Sequence, residues 1–375
     1  MMGNTNIEEL QAPESGKKQK KRKKRIKSGT LVFWALFELF TAAAVIAVTL
    51  GLNKLWDFLE DYEVSLPEKV VESVVDSLER GDTEKVYDST GFAPNIYEDD
   101  SAAREYVAGL FKGELTYSKD IKNSTDESPV YYIKCNGNKV CSLTLEQSGE
   151  QTDWGFPLYK SAGFSGVEVP TGEITITAPD NAEIRINGIA MLEKPVKSEP
   201  IEACGYFYNY IDKAPAMVEY TLTGFTQTPE VTAVREDGIA LDGTAQESKF
   251  TFNINGGDPP EELAELALNA SKAYTKFISA DAAFSAVAKF VPADVPFYSN
   301  VSTYNANFYT PHNRYDFLDV SVGDYLWYTQ DCVSLRVKYT HAIYGYYGSF
   351  EFPTDYTVYL AQNNTEWLVT DIVMN

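Results

Sequence analysis

The chain has 375 residues, of which 32 are Lys or Arg and 54 are Asp or Glu, so its formal net charge is −22. With 44% hydrophobic residues and four Cys, this composition excludes a disordered, collagen-like or disulfide-dense chain. At roughly 100 to 200 residues per domain, the length predicts two or three hydrophobic cores.

The charge is divided between a basic end and an acidic body. Residues 1–56 hold 10 basic and 4 acidic residues, whereas residues 57–375 hold 22 basic and 50 acidic residues, a net charge of −28. Because such a body would repel phosphate, we expect no nucleic-acid partner. The basic end instead suggests contact with an anionic membrane surface.

A membrane anchor is predicted at residues 29–56, after a cytoplasmic basic tail at 1–28. Between Leu31 and Leu52 the only charged residue is Glu38, and a helix of this length spans about 33 Å, enough for a bilayer core of about 30 Å. Basic residues favour the cytoplasmic side, so the pattern predicts a single-pass cell-membrane protein with a cytoplasmic N-terminus and an extracellular C-terminal region. The tail residues expected to set this topology and contact lipid are Lys20, Lys21, Arg22, Lys23, Lys24 and Arg25.

A cleaved signal peptide is the alternative interpretation of the apolar segment. Its apolar region normally has about 7 to 15 residues and ends at a small-x-small site. Here the segment is longer, and Leu52-Asn53-Lys54-Leu55-Trp56 follows it. This sequence favours an uncleaved anchor.

Glu38 lies about two turns inside the predicted span, where an ionisable side chain is costly. One interpretation is a contact with another helix, for which Ala43 and Ala47 would offer a surface of small residues. The other is a Glu near the cytoplasmic interface that reaches water or takes up a proton.

Beyond a juxtamembrane segment at 57–65, the pattern predicts an α+β protein with two helix-plus-curved-antiparallel-sheet modules flanking a small all-β module. Amphipathic helices precede alternating strands at 66–169, which indicates a first α+β module. Apolar residues then alternate with a period of two throughout 171–255, as expected of the all-β module. The order of helix and then sheet returns at 261–375, the second α+β module.

Several short motifs carry a resemblance to known families. The Gly81-Asp82 break between two helices and the closing strand Thr365-Glu366-Trp367-Leu368-Val369 resemble the nuclear transport factor 2-like cone fold. The stretch Ile184-Arg185-Ile186-Asn187-Gly188-Ile189 resembles β modules found between such domains in bacterial surface proteins.

The whole order of tail, span and modules is similar to the teicoplanin-resistance-associated membrane proteins of Gram-positive bacteria. That resemblance implies binding of peptidoglycan-related ligands. The family commonly carries a Cys-rich zinc ribbon in the cytoplasm, but this tail has no Cys, so no metal site is implied.

Catalytic motifs are mostly missing from the sequence. The only Ser-x-x-Lys of transpeptidase type, at 15–18, lies in the basic tail, and no Gly-rich nucleotide motif occurs, so we expect neither catalysis nor a cofactor. Alternation along its strand predicts that His341 lies in the core or a cavity, and the turn around His312 predicts a surface position. The cone fold does host enzymes, so Asp281, His312 or His341 could line a pocket, but their spacing does not show that they converge.

Two further groups are candidate sites. Cys135 and Cys141 flank a predicted turn at 136–138, and a loop with an odd number of residues would place them opposite each other, either as a disulfide or as two buried thiols. Tyr344, Tyr346 and Tyr347 could stack on sugars or anchor a protein partner, or they could form a solvent-tolerant hairpin face.

The sequence therefore predicts a non-catalytic bacterial envelope protein whose extracellular region binds or senses a cell-wall component or another envelope protein. A cone-fold enzyme with a pocket carboxylate and His is one alternative. A scaffold that recruits a membrane partner through its helix is the other.

Overall fold

The computed structural model describes residues 28–304 and 310–375, and it confirms the α+β class with one long apolar helix at the N-terminus. The basic residues predicted at 20–25 to contact lipid lie outside the described residues. The described helices are α1 (Ser28–Val64), α2 (Pro67–Glu79), α3 (Glu84–Ser89), α4 (Ser101–Gly109), α5 (Glu261–Ile278) and α6 (Pro296–Ser302), with 3-10 segments at Glu202–Tyr210 and Phe284–Ala286.

Helix α1 is the one helix in the described ranges that is long and apolar enough to cross a membrane. Its 37 residues extend about 55 Å and continue without a break to Val64, within the segment at 57–65 that was predicted to be juxtamembrane. The helix is therefore longer than a bilayer core, and its last turns lie beyond any span that starts near residue 31.

Sixteen strands are assigned within the described ranges. They are β1 (Leu115–Lys119), β2 (Val130–Cys135), β3 (Asn138–Gln151), β4 (Pro157–Ser165), β5 (Gly172–Pro179), β6 (Glu183–Ile186), β7 (Ile189–Ala190), β8 (Lys197–Pro200), β9 (Ala216–Phe225), β10 (Val231–Val234), β11 (Gly243–Gln246), β12 (Lys249–Phe252), β13 (Arg314–Thr329), β14 (Cys332–Gly345), β15 (Gly348–Asn363) and β16 (Glu366–Met374). They form sheets of order β1-β2-β3-β4, β10-β6-β7, β11-β12-β5-β9-β8 and β13-β14-β15-β16.

The chain divides into two compact units. The first comprises the chain up to Ser73 together with Thr125–Pro129 and Leu145–Ser161, and the second comprises Val74–Ser124, Val130–Thr144 and Ala162–Asn375. Within the second unit, one hydrophobic cluster includes Ile176 and Ile186 from the predicted β module and Leu335 and Val358 from the last sheet. The strands of 171–255 and the helix–sheet layer of 261–375 thus share a core.

Helix α5 packs across the last sheet, which is an antiparallel meander. Glu261 and Glu262 in its first turn and Lys276 in its last turn complement the helix dipole. Its small buried residues allow close approach, and the Thr275 hydroxyl lies 2.6 Å from the Tyr339 hydroxyl of β14. The chain reverses directly after α5, and only the short 3-10 turn at Phe284–Ala286 lies between α5 and α6.

The other side of β15 is also covered. Tyr359 and Ala361 of β15 belong to a second cluster with Cys204 and Phe207 from the 3-10 segment Glu202–Tyr210. The rings of Phe207 and Tyr359 meet edge to face with centroids 5.5 Å apart. Both faces are therefore buried in the second half of the strand, at residues 356–361, whereas its first six residues are exposed.

Candidate functional site

A cavity of about 230 Å³ lies between the C-terminal end of α5 and the last sheet. Side-chain alternation on β14 and β15 orients one face of the sheet toward the helix, and the register pairs His341 with Phe352. The described lining residues are Thr275, Ile278, Ser279, His341, Ile343, Phe352, Pro353, Thr354, Tyr356 and Met374. This set is mainly apolar and includes hydroxyl groups and an imidazole, but no carboxylate.

His341 is the most unusual polar group in this lining. It is 4% exposed, and its Nε2 atom has no hydrogen-bond partner among the described residues. The imidazole stacks on Phe317 of β13 with centroids 5.1 Å apart. Because a buried polar atom without a partner costs about 1 to 3 kcal/mol, Nε2 calls for a water molecule or a ligand group in the cavity as its partner.

Burial lowers the pKa of His341 below its ordinary value. The positive charge of His312 acts in the same direction, while the Asp281 carboxylate opposes it. At neutral pH the imidazole is therefore uncharged and offers one donor and one acceptor. A neutral polar group of the ligand suits it better than a cation.

Asp281 and His312 form an ion pair beside this cavity. His312 Nε2 lies 3.1 and 3.0 Å from the two Asp281 carboxylate oxygens, and His312 Nδ1 donates to the Thr310 carbonyl at 2.7 Å. Burial alone would lower the pKa of His312, but the hydrogen bonds to Thr310 and Asp281 outweigh it and raise the pKa. With both ring nitrogens donating, His312 is held as an imidazolium.

The predicted surface position of His312 is wrong, since its side chain is only 3% exposed. The reason is the end of α5. Ala280 has a positive φ of 64°, its N–H bonds to the Phe277 carbonyl, and the Asp281 N–H bonds back to the Lys276 carbonyl at 2.8 Å. This Schellman closure turns Asp281 toward the helix end, where it meets His312.

Ser279 connects the ion pair to the cavity. It lines the cavity, and its hydroxyl lies 2.6 Å from the Asp281 carboxylate and 2.9 Å from the Thr275 carbonyl. Sequence reasoning did not single out Ser279 or Thr275, because hydroxyl residues near helix ends are common and only the tertiary partners distinguish these two. Neither Asp281 nor His312 is among the described lining residues.

The three tyrosines proposed as a contact site lie at the β14–β15 hairpin and divide into two environments. Tyr346 and Tyr347 form the tip, 94% and 74% exposed, with their rings edge to face at 5.3 Å. Tyr344 is half-buried under the Arg314 guanidinium, which lies 4.2 Å from its ring centroid. The tip pair is thus available to a partner, whereas Tyr344 supports the hairpin.

Cys135 and Cys141 do not lie opposite each other and form no disulfide, so of the two alternatives the structure shows the buried thiols. Asn136 and Gly137, with φ of 50° and 81°, form a two-residue turn that pairs Cys135 with Asn138, and an irregularity in the ladder then places Ile133 opposite Cys141. An Asn-Gly pair favours this tight turn because both positions need positive φ. Both thiols are free and buried, and burial raises the pKa of Cys141 to about 12.

Glu38 lies on a different face of α1 from Ala43 and Ala47, the residues proposed with it for a contact with another membrane helix. At about 100° per residue, Ala43 and Ala47 lie about 140° and 180° around α1 from Glu38, so one narrow interface cannot bury all three. The hydroxyl residues on the Glu38 face are Thr41 and Thr49, whose hydroxyls bond to carbonyls of the preceding turn. The described residues contain no group of three or more ligands suited to a metal ion.

Comparison with known proteins does not identify a function for this chain. No protein-family model and no curated protein matches the chain. A solved structure described as an NTF2-like protein involved in plasmid conjugation superposes over 80% of this chain and 97% of its own, with a TM-score of 0.22 and 8% identity. At that TM-score the likeness carries no argument about fold or function.

Proposed function

We propose that the chain is a single-pass membrane protein whose extracellular region binds a ligand in the cavity beneath α5 and does not catalyse a reaction. The observation that carries this proposal is the buried Nε2 atom of His341, which lacks a partner among the described residues and belongs to a cavity-lining side chain. A ligand that supplies the missing hydrogen bond would remove a cost of about 1 to 3 kcal/mol.

The size and lining of the cavity limit the ligand. Drug-sized ligands occupy pockets of about 300 to 1,000 Å³, so a cavity of about 230 Å³ takes one ring, acyl chain or side group of a larger molecule. The apolar lining favours an uncharged group with one hydroxyl or amide. The remainder of the molecule would extend out of the cavity.

The hairpin tip offers a second contact for an extended ligand. His341 and Tyr346 are five residues apart on β14 and its turn, a separation of at most about 17 Å. The exposed rings of Tyr346 and Tyr347 suit stacking on a sugar. We therefore infer a cell-wall component, or another envelope protein, as the ligand.

Catalysis by a cone-fold enzyme is the second candidate, because an aspartate, a histidine and a serine come together here. Nucleophilic activation of Ser279 would need a base in contact with its hydroxyl. Both ring nitrogens of His312 are instead committed to Thr310 and Asp281, and the serine donates to oxygen acceptors. This pattern favours a structural ion pair.

We also propose that the second unit has a nuclear transport factor 2-like fold and that the protein is related to the teicoplanin-resistance-associated family. A helix packed across an antiparallel meander, with a cavity between the two, supports the first. A helix of spanning length ahead of the folded region supports the second.

Binding can be tested by co-sedimentation. Detergent-solubilised full-length protein is centrifuged with cell-wall sacculi, with and without their attached anionic polymers, at low and high salt. We expect salt-resistant binding that His341→Phe weakens by about tenfold or more, since that variant removes the hydrogen-bonding group. Thr340→Val, next to it on the opposite strand face, is the matched control.

Two outcomes would contradict the proposal. Absence of binding by the unaltered chain would exclude the wall polymer as ligand. Equal binding by His341→Phe and the control would exclude the cavity, and the double variant Tyr346→Ala, Tyr347→Ala would then test the hairpin tip alone.

A further inference from the structure

A cluster of four aromatic rings surrounds the end of α1 in the first unit. We call this set the aromatic collar, and it consists of Phe58, Tyr62, Trp154 and Phe156. Phe58 meets Trp154 and Phe156 edge to face at 5.4 and 5.3 Å, and Tyr62 meets Phe156 at 5.5 Å. The helix thus holds the β3–β4 turn through its rings.

Hydrogen bonds fix the same turn to the helix. The Trp154 backbone N–H donates to the Asp61 carboxylate at 3.1 Å. Inside the turn, Thr152 N–H donates to the Phe156 carbonyl at 2.9 Å, and Gly155 adopts a φ of 82° that allows the tight reversal. The Trp154 ring is therefore carried in a defined position beside α1.

The position of the collar along α1 identifies its surroundings. Phe58 lies six residues, about 9 Å, beyond Leu52 at the end of the apolar segment, and helix side chains tilt toward the N-terminus. Its ring therefore lies near the outer edge of the headgroup layer, which adds about 5 to 8 Å to each side of the hydrocarbon core. Trp56 on the same helix is exposed, and the Trp154 ring is 49% exposed although it packs on Phe58. Trp and Tyr concentrate at this depth in membrane proteins because their rings are both apolar and polar.

We propose that the outer-leaflet headgroup layer covers the exposed face of Trp154, so that the β3–β4 turn is a second membrane contact beside the span. The proposal rests on the single-pass anchor proposed above, and the lipid is chosen as occupant because the collar continues the helix that enters the bilayer. Asp57, Glu60, Asp61 and Asp153 adjoin the collar residues in the sequence, and carboxylates are not attracted to anionic headgroups, so the contact with lipid depends on the rings.

Depth-dependent fluorescence quenching tests the proposal. Full-length protein is reconstituted into phosphatidylcholine vesicles that carry a nitroxide either on the headgroup or deep in the acyl chain. The emission of Trp154 is obtained by subtracting the tryptophan emission of Trp154→Phe from that of the unaltered chain. This variant keeps an aromatic ring against Phe58. Trp367→Phe, in the last strand, gives the matched difference for a ring outside the collar.

We expect the headgroup nitroxide to quench Trp154 at least about twofold more strongly than Trp367, and the deep nitroxide to leave Trp154 largely unquenched. Releasing the turn with Phe58→Ala should reduce the headgroup quenching. Equal quenching of Trp154 and Trp367 would overturn the inference.

The same vesicles test separately whether α1 enters the bilayer. Trp34, inside the predicted span, gives its own difference with Trp34→Phe. If neither nitroxide quenches Trp34, the helix does not enter the bilayer and both proposals about the membrane fall. If Trp34 is quenched and Trp154 is not, the anchor stands and only the second contact is refuted.

Discussion

His341→Phe should remove ligand binding and at the same time stabilise the ligand-free protein. The Nε2 atom of the buried imidazole lacks a partner among the described residues. The variant replaces this imidazole with an apolar ring of similar shape, which can keep the stacking on Phe317. The unsatisfied atom costs about 1 to 3 kcal/mol, so we expect a gain of about 1 kcal/mol in the free energy of unfolding at pH 7.5, or about 2 to 4 °C in Tm.

The gain should increase on acidification. Burial lowers the folded-state pKa of His341 below the unfolded value of about 6.5, so the unfolded chain binds the proton more readily. The free energy of unfolding of the unaltered protein therefore decreases as the pH falls below about 6.5, by up to about 1.4 kcal/mol per pH unit. The variant has no imidazole at position 341 and does not show this decrease. His312 is present in both proteins, and its positive charge contributes to lowering the pKa of His341.

The assay is denaturant unfolding of the full-length chain in detergent at pH 7.5 and pH 5, followed by tryptophan emission, with Thr340→Val as the control. A loss of more than about 2 kcal/mol at pH 7.5 would show that the imidazole makes a hydrogen bond that stabilises the fold. A difference between the two proteins that does not grow toward pH 5 would refute the assigned direction of the pKa.

Three further predictions concern stability and the thiols. Non-reducing peptide mapping should find Cys135 and Cys141 as free thiols that alkylate only after denaturation, because both are buried; a peptide that links them would contradict the observed register. His312→Asn should destabilise the protein more at pH 6 than at pH 9. The pKa of His312 is raised on folding, so its charge stabilises the protein below the pKa of the unfolded chain, and this stabilisation is lost as the pH rises through the pKa of the folded protein. Equal losses of stability at both pH values in thermal denaturation would contradict a raised pKa. Asp371→Asn should raise stability at pH 7.5, since burial raises the pKa of the Asp371 carboxyl and the amide oxygen of Asn can still accept the Tyr208 hydroxyl. A clear loss of stability in urea unfolding would show that the carboxylate charge is needed.

Local patterns predicted much of the secondary structure. The apolar helix at the N-terminus follows from composition alone, and the alternation along β14 and β15 identified which side chains share a face. The hairpin at Asn136-Gly137 was also visible, but assigning it a three-residue loop shifted the expected pairing of Cys135. The two-residue turn preferred by Asn-Gly was the signal that could have corrected it.

The sequence by itself determined the long apolar helix, the acidic charge of the body and the α+β class, because each depends on composition or on a repeat within a few residues. Only the tertiary structure decided that Asp281 pairs with His312, that His341 lines a cavity under α5, and that Trp154 packs on Phe58. These residues are separated by about 30 to 100 positions, and periodicity states which face a side chain occupies without stating which element covers that face. The partner is set by strand register, by the reversal at Ala280 and by long-range packing, and these interactions form only in the folded chain.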